Sequence, residues 1–571
     1  MASLPRRAAL LLAPAAVLAI VFARVSPTNF AGHDEWLIDW MVRHGITSFP
    51  YAHRPLDLLW VLPAPHLGVG DWRGFWLLHG LYLAASGALT AWMARRWLRL
   101  PAFTAALAGV LAAVWAPSDL VRLNAVMGGR YTGDTVGALI ASALFVAGWR
   151  RRAAARAGGI PLMLMAAVLA AAMAWGQEST TALLAGAPLV ALAARPADGR
   201  RRRFLFYALA WEAVLAAATL PLLLSMRVHE GYQYQSAAGF DPHPLRWSGR
   251  LLRQLGRTLL PVVATPPREL WIPAAAGAVA VIAVVWLLLG RRAPPPTGVW
   301  GKRGRAEERR LLRAALLGIA MAVLGWLTFT LSPIVARGGR TQIVSAPGTG
   351  LLLAALVGLL ATALRRPAVA PVAAAWLVAV AAGRTEAQQR QWDRDSFWAG
   401  QSGTLRQLAE LAPAPRPGTL LLLIDGHDTW RASFSFRHAV HLLYGPEVVG
   451  QVWNGHPFLY PLRFAAGGVH VDPLPAIRGP WGVSPTAHGY GSVVVLRLDG
   501  NGRLLVAREW PAELPPLPTG LYRPDARLRG GPPAQPFRGT TTRGTVASGS
   551  VAQAMSSQAR TVQPMAIRRP W

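Results

Sequence analysis

The 571-residue sequence contains no cysteine. Disulfides, thiolate nucleophiles and Cys-ligated metals are thereby excluded, and any part of the chain outside a membrane must hold together by packing alone. Acidic residues are scarce, 27 Asp and Glu against 58 Lys and Arg. No Gly-rich phosphate loop, HExxH, GxSxG or dinucleotide fingerprint occurs, so a soluble nucleotide donor has no recognisable binding element. Gly128-Gly129 and Gly338-Gly339 read as loop flexibility. An internal repeat with Gly/Pro-broken helices in corresponding halves, the mark of many transporters, is also missing.

Apolar sequence is plentiful and comes in blocks. Hydrophobic residues make up 53% of the chain and charged residues 15%. Runs close to twenty residues long read as membrane-spanning helices. Eleven are expected: Ala8 to Val25, Gly74 to Met93, Ala102 to Trp115, Gly133 to Trp149, Ile160 to Trp175, Thr180 to Ala194, Phe204 to Met226, Trp271 to Leu289, Leu311 to Leu331, Ser345 to Leu364 and Val369 to Ala382. The fold class expected is a mainly α, polytopic helical bundle.

The formal net charge of +31 is placed in clusters. Arg95-Arg96, Arg150 to Arg152, Arg200 to Arg203, Arg291-Arg292 with Lys302 to Arg313, and Arg365-Arg366 each flank an apolar run on one side. Short basic loops stay cytoplasmic, so the clusters report topology and not a nucleic-acid partner. With eleven spans and the N-terminus inside, every cluster falls on the cytoplasmic side and the C-terminus emerges outside. The chain divides into a membrane domain over 1–383, an outer-face α/β domain over 384–528 and a disordered tail over 529–571. In the outer domain, Gln388 to Leu411 is expected to be a polar amphipathic helix and Thr419 to Ile424 a buried strand. Ser492 to Leu498 and Arg503 to Arg508 pair through the turn Asp499-Gly500-Asn501-Gly502. The tail is too rich in Gly, Pro, Ser and Thr to bury a core.

The chemistry concentrates at outer ends of the helices. His33-Asp34-Glu35 follows the first run; a partly desolvated carboxylate there serves as a general base, and a carboxylate pair can hold a divalent metal. An ordinary solvated acidic loop is the plainer reading. Arg54 before the second run suits bidentate phosphate binding, and snorkelling to the interface is its plainer role. His33 and His53 could shuttle protons. Glu178, in the short turn Gly176-Gln177-Glu178-Ser179, either faces the bundle interior or caps the next helix. Arg130 and Arg340 stand at outer helix ends, where positive charge is otherwise rare.

These stretches resemble the GT-C superfamily, polytopic glycosyltransferases of the protein O-mannosyltransferase and lipid A arabinosyltransferase type. The matching segments are His33-Asp34-Glu35, Arg54-Pro55-Leu56, Gln177-Glu178-Ser179 and Arg340 with Ser345-Ala346-Pro347-Gly348. They lie within the first 383 residues, and where relatives carry Lys before the later Glu this chain has Gln177. The resemblance implies inverting sugar transfer on the extracytoplasmic face of a bacterial inner membrane, from a polyprenyl-phosphate-linked sugar to an envelope glycan, lipid or protein. Asp34 or Glu35 would act as base or help to hold a divalent metal. Arg54, Arg130 and Arg340 would bind the donor phosphate, with His33, His53 and Glu178 in support. A transporter or flippase of a lipid-linked substrate, and a non-catalytic anchor for the outer domain, are the competing readings.

Overall fold

The computed structural model describes residues 4–49, 54–67, 72–194, 201–225, 241–262, 268–290, 302–331, 342–455, 459–517 and 521–535. Seven helices among them are long and apolar enough to cross a membrane, and the model is mainly helical. The bundle comprises α1 (Leu4–Val21), α4 (Arg73–Arg96), α5 (Ala102–Val114), α6 (Ala125–Ala153), α7 (Gly159–Gly176), α10 (Arg201–Ser225), α12 (Arg268–Gly290), α13 (Lys302–Leu331), α14 (Ala346–Ala363) and α15 (Val369–Asp395). Short helices α2 (Asp34–Arg43) and α3 (Ala64–Leu67) interrupt the loop between α1 and α4.

α5 lies at the centre, buried along nearly its whole length and packed on α1, α4 and α14. Its six alanines and Gly109 make that possible. A Cβ on Gly87 of α4 would lie 2.6 Å from the carbonyl oxygen of Gly109, and one on Gly350 would lie 2.5 Å from the Ala112 nitrogen. Helices in lipid gain nothing from hiding leucine, so close backbone approach through small residues supplies the packing. The long side chains point outward instead, as Leu164, Val168, Phe206 and Leu209 do.

The run expected as one helix from Thr180 to Ala194 is broken into α8 (Thr181–Ala185) and α9 (Ala187–Ala193). Pro188 lacks the N–H that would bond to Leu184, and the indole of Trp211 donates to that freed carbonyl at 2.9 Å. The polar helix expected over Gln388 to Leu411 is likewise two segments. α15 continues unbroken past residue 383 to Asp395, and α16 (Trp398–Leu411) starts anew. At the break, Ser396 Oγ accepts from the Phe30 N–H at 3.2 Å and the Phe397 N–H donates to the Phe30 carbonyl at 3.3 Å.

Beyond α16 the chain forms a parallel sheet, ordered β2 (Val449–Val452), β1 (Leu420–Asp425), β6 (Val493–Leu498), with β7 (Leu504–Val506) added antiparallel. The apolar run of β1 suits a strand covered on both faces. The β6–β7 hairpin turns at Asp499 to Gly502 as expected. A second, antiparallel sheet of β3 (Leu462–Ala465), β4 (Gly468–Val471) and β5 (Thr486–His488) and the helices α17 (Ser433–Tyr444) and α18 (Pro475–Trp481) were not anticipated. The chain remains attached at residues 531–535: Gly531 donates to the Ala414 carbonyl, Ala534 to Pro413 and Gln535 to Leu443. The rest of the expected tail lies outside the described residues.

Candidate functional site

α2 begins at the acidic pair, and its two carboxylates have different surroundings. Glu35 is fully buried. It accepts from the Ala31 N–H at 2.7 Å, the His33 N–H at 3.2 Å and the Asn124 side chain at 2.6 Å. Burial pushes its carboxyl up, against the hydrogen bonds from Ala31 and Asn124. Those bonds fold residues 31–33 back over the start of α2. Asp34, half-buried, has no hydrogen bond to its carboxylate among the described residues. The His33 carbonyl accepts from Ser435 Oγ at 2.8 Å, and its ring does not cap the helix. Gln401 of α16 bonds the Gly32 carbonyl at 3.2 Å while accepting from the Trp36 indole at 2.8 Å. Ser435 and Gln401 thus fasten the α/β portion to the Asp34 loop.

Asn124 also caps α6, accepting from the Met127 N–H at 3.0 Å. Two turns along the same helix, Arg130 forms a two-pronged ion pair with the fully buried Asp57. The Gln177 side chain donates to that same carboxylate, and the Arg130 guanidinium lies 5.3 Å from the Phe49 ring centroid. Arg54, three residues before Asp57, makes a second two-pronged pair with Glu178, through Nε at 2.6 Å and through Nη2. Burial opposes the charge on Arg54, but the Glu178 and Asp57 carboxylates beside it hold the guanidinium above its ordinary value. The Leu56 N–H bonds the Trp175 carbonyl at 3.3 Å, which ties this loop to the end of α7.

Asp134, one turn beyond Arg130, completes the network. One oxygen accepts from the Trp60 indole at 2.8 Å and the other is buried without a partner. A Cβ at Gly176 would lie 2.7 Å from its first oxygen, so only glycine lets α7 end there. The Arg130–Asp57 pair is sealed, whereas Glu178 keeps 29% of its side chain exposed. The network therefore has one open edge, at Arg54 and Glu178.

A second polar knot lies at the other loop of this end. Asp119 accepts from the N–H groups of Gln342 at 2.9 Å and Ile343 at 3.2 Å. Burial pushes its carboxyl up to about 7. Arg122 beside it donates to the Val114 carbonyl and to Thr385 Oγ1 at 2.7 Å, and its own carbonyl meets the His79 ring at 2.7 Å.

The expected residues Arg54, Arg130 and Glu178 are thus brought together, and Asn124 links Glu35 to the same helix. His53 and Arg340 lie outside the described residues. The sequence reading missed Asp57, Asp119 and Asp134. Among the described residues no three His, Asp or Glu side chains gather into a metal-ligand set.

Among solved structures, the chain is similar to the crystal structure of ArnT from Cupriavidus metallidurans bound to undecaprenyl phosphate, at 17% identity and a TM-score of 0.37. The match covers 72% of this chain and 82% of that one. No family model and no curated protein matches the chain.

Proposed function

We propose that the protein is an inverting membrane glycosyltransferase of the GT-C type, which moves a sugar from a polyprenyl-phosphate donor to an acceptor hydroxyl on the extracytoplasmic face. The observation that carries this reading is the convergence of Arg54, Glu178, Arg130 and Asp57, from three separate stretches of the chain, into one buried network with an open edge. A lipid-borne donor accounts for the missing nucleotide motif, and a departing phosphate calls for a guanidinium clamp.

In this account the Asp34 carboxylate takes the proton of the acceptor hydroxyl. The acceptor oxygen bonds to the anomeric carbon from the face opposite the phosphate, and the bond from that carbon to the phosphate oxygen breaks, inverting the centre. Arg54 neutralises the charge gathering on the polyprenyl phosphate, and Arg340 joins it. Arg130 adds positive potential from behind, oriented by Asp57. Glu35 sets the loop that presents Asp34; His33, His53 and Glu178 support the site. Eleven spans, an inner-membrane location and an outer-face domain over 384–528 with a tail from 529 belong to the same proposal; Glu35, whose oxygens already accept three hydrogen bonds, does not pair with Asp34 to hold a divalent metal. The one-sided basic clusters support the orientation.

The test is turnover in proteoliposomes, read as undecaprenyl phosphate released from a panel of undecaprenyl-phosphate sugars given a hydroxyl acceptor. Asp34→Asn should abolish release while expression and thermal stability hold. Substrate movement across the bilayer that survives Asp34→Asn would instead establish the transporter reading.

A further inference from the structure

α11 (Pro244–Leu259) carries three stripes along its length. The first faces the protein: Gln254 and Thr258 are buried, the Trp115 indole donates to the Thr258 carbonyl at 3.1 Å, and Gln342 donates to Thr258 Oγ1 at 3.1 Å. The second is apolar and recurs every seven residues at Leu245, Leu252 and Leu259, with Leu245 88% and Leu252 67% exposed. The third is basic: Arg246, Arg250, Arg253 and Arg257 follow the spacing i, i+4, i+7, i+11.

At 100° per residue the four arginines fall within an arc of about 60°, and the centre of the leucine stripe lies roughly 130° away from theirs. The helix contains no acidic residue. Arg250 is already engaged, with Asp241 and with the Thr330 carbonyl at 2.8 Å. Among the described residues Arg253 and Arg257 form no ion pair, and Arg246 only feels the charge of the Asp241 that Arg250 already holds. Exposed Leu245 and Leu252 beside a row of arginines are costly in water and at home at a bilayer surface, where acyl chains meet phosphate-bearing headgroups.

We propose that α11 is a lipid-surface helix, with Leu245 and Leu252 in the acyl boundary and Arg246, Arg253 and Arg257 gripping anionic phospholipid headgroups, while Leu259 packs back against the bundle. The charge of the stripe selects this occupant over a neutral lipid or an apolar protein face. The site stands on the membrane-spanning bundle and does not depend on the transferase reading. Ser118 Oγ bonds the Arg257 carbonyl at 3.0 Å, so headgroup binding reaches the loop that carries Asp119.

The missing cysteines give a clean probe. The full chain with Leu252→Cys, labelled with an environment-sensitive fluorophore, is placed in nanodiscs of phosphatidylcholine alone or with about a third phosphatidylglycerol. The label should be quenched by nitroxide-bearing lipid and shielded from aqueous iodide. Wild-type protein should retain phosphatidylglycerol over phosphatidylcholine through delipidation, with about a fivefold preference for each arginine engaged. Arg246→Gln, Arg253→Gln and Arg257→Gln together should erase that preference at unchanged melting temperature, and soluble glycerol phosphate should not compete. Ready iodide quenching in both nanodiscs, equal retention of the two lipids, displacement by soluble glycerol phosphate, or shielding that appears only as protein concentration rises and so reports a second copy, would each overturn the proposal.

Discussion

Arg54 and Glu178 lie 124 residues apart in the chain and meet as a two-pronged ion pair at the open edge of the polar network. Neither residue is free to vary alone. Removing Arg54 strands a carboxylate at the end of a hydrophobic bundle, and removing Glu178 releases the guanidinium from its fixed plane. Arg54→Gln alone is expected to cost about 2–3 kcal/mol, and the double replacement Arg54→Gln with Glu178→Gln to regain most of it. Thermal unfolding in detergent of the two single variants and the double variant measures the coupling; additive losses would contradict the pairing.

The Arg130–Asp57 pair should be less tolerant. Both side chains are sealed from solvent, and Gln177 binds the same carboxylate. Asp57→Ala leaves an uncompensated buried guanidinium, for which a loss of about 3–5 kcal/mol is expected. Asp57→Asn should lose less, because it keeps an acceptor for Arg130. Melting temperatures of the two variants decide the order.

Asp34 and Glu35 are neighbours with opposite expected phenotypes. Glu35→Ala removes the acceptor of three hydrogen bonds at a fully buried position, so it should lower stability and expose residues 31–33 to hydrogen exchange. Asp34→Asn should leave exchange and melting unchanged and cut turnover by about 10²–10⁴-fold, the range for a general base. Equal turnover in Asp34→Asn and wild type would exclude Asp34 as the base.

Acid should loosen the contact between α2 and α17. The Trp40 ring lies 4.7 Å from His44, 4.4 Å from His438 and 5.7 Å from His441, centroid to centroid. Burial lowers His441 to about 4, with His44 and Arg437 adding repulsion, and lowers His438 further from its ordinary value. Both folded-state values lie below the unfolded one, so the unfolded chain takes up protons first and stability falls with pH. The loss should run from about pH 6.5 down to about 4 for His441. His441→Gln should flatten the fall in melting temperature over that window.

The bundle was legible because lipid imposes long apolar runs and clustered arginines mark their ends. Each expected run lies on helix, including the one that Pro188 breaks in two. That break was readable from proline in mid-run, but the apolar count masked it. Arg54, Arg130 and Glu178 were found through motifs and charge placement. Their partners were not: Asp57 sits in the loop between α2 and α3, where an acid looks unremarkable, and Asp134 sits inside the run from Gly133 to Trp149. An acid in an apolar run is costly enough to have signalled function unaided. The strands β2 to β5 are three or four residues long, too short for alternation to show.

The most direct measurement is the affinity of the purified protein for undecaprenyl phosphate, by native mass spectrometry, for wild type and for the doubly replaced Arg54→Gln, Glu178→Gln chain. The double variant keeps the net charge of the network and its fold, so a loss of affinity reports the missing guanidinium and not unfolding, while loss of the Glu178 carboxylate could only favour an anion. A drop of about tenfold or more, as for a lost charge-assisted bond, is the expected result. Equal affinity in the two proteins would contradict the claim that Arg54 grips a lipid-borne phosphate.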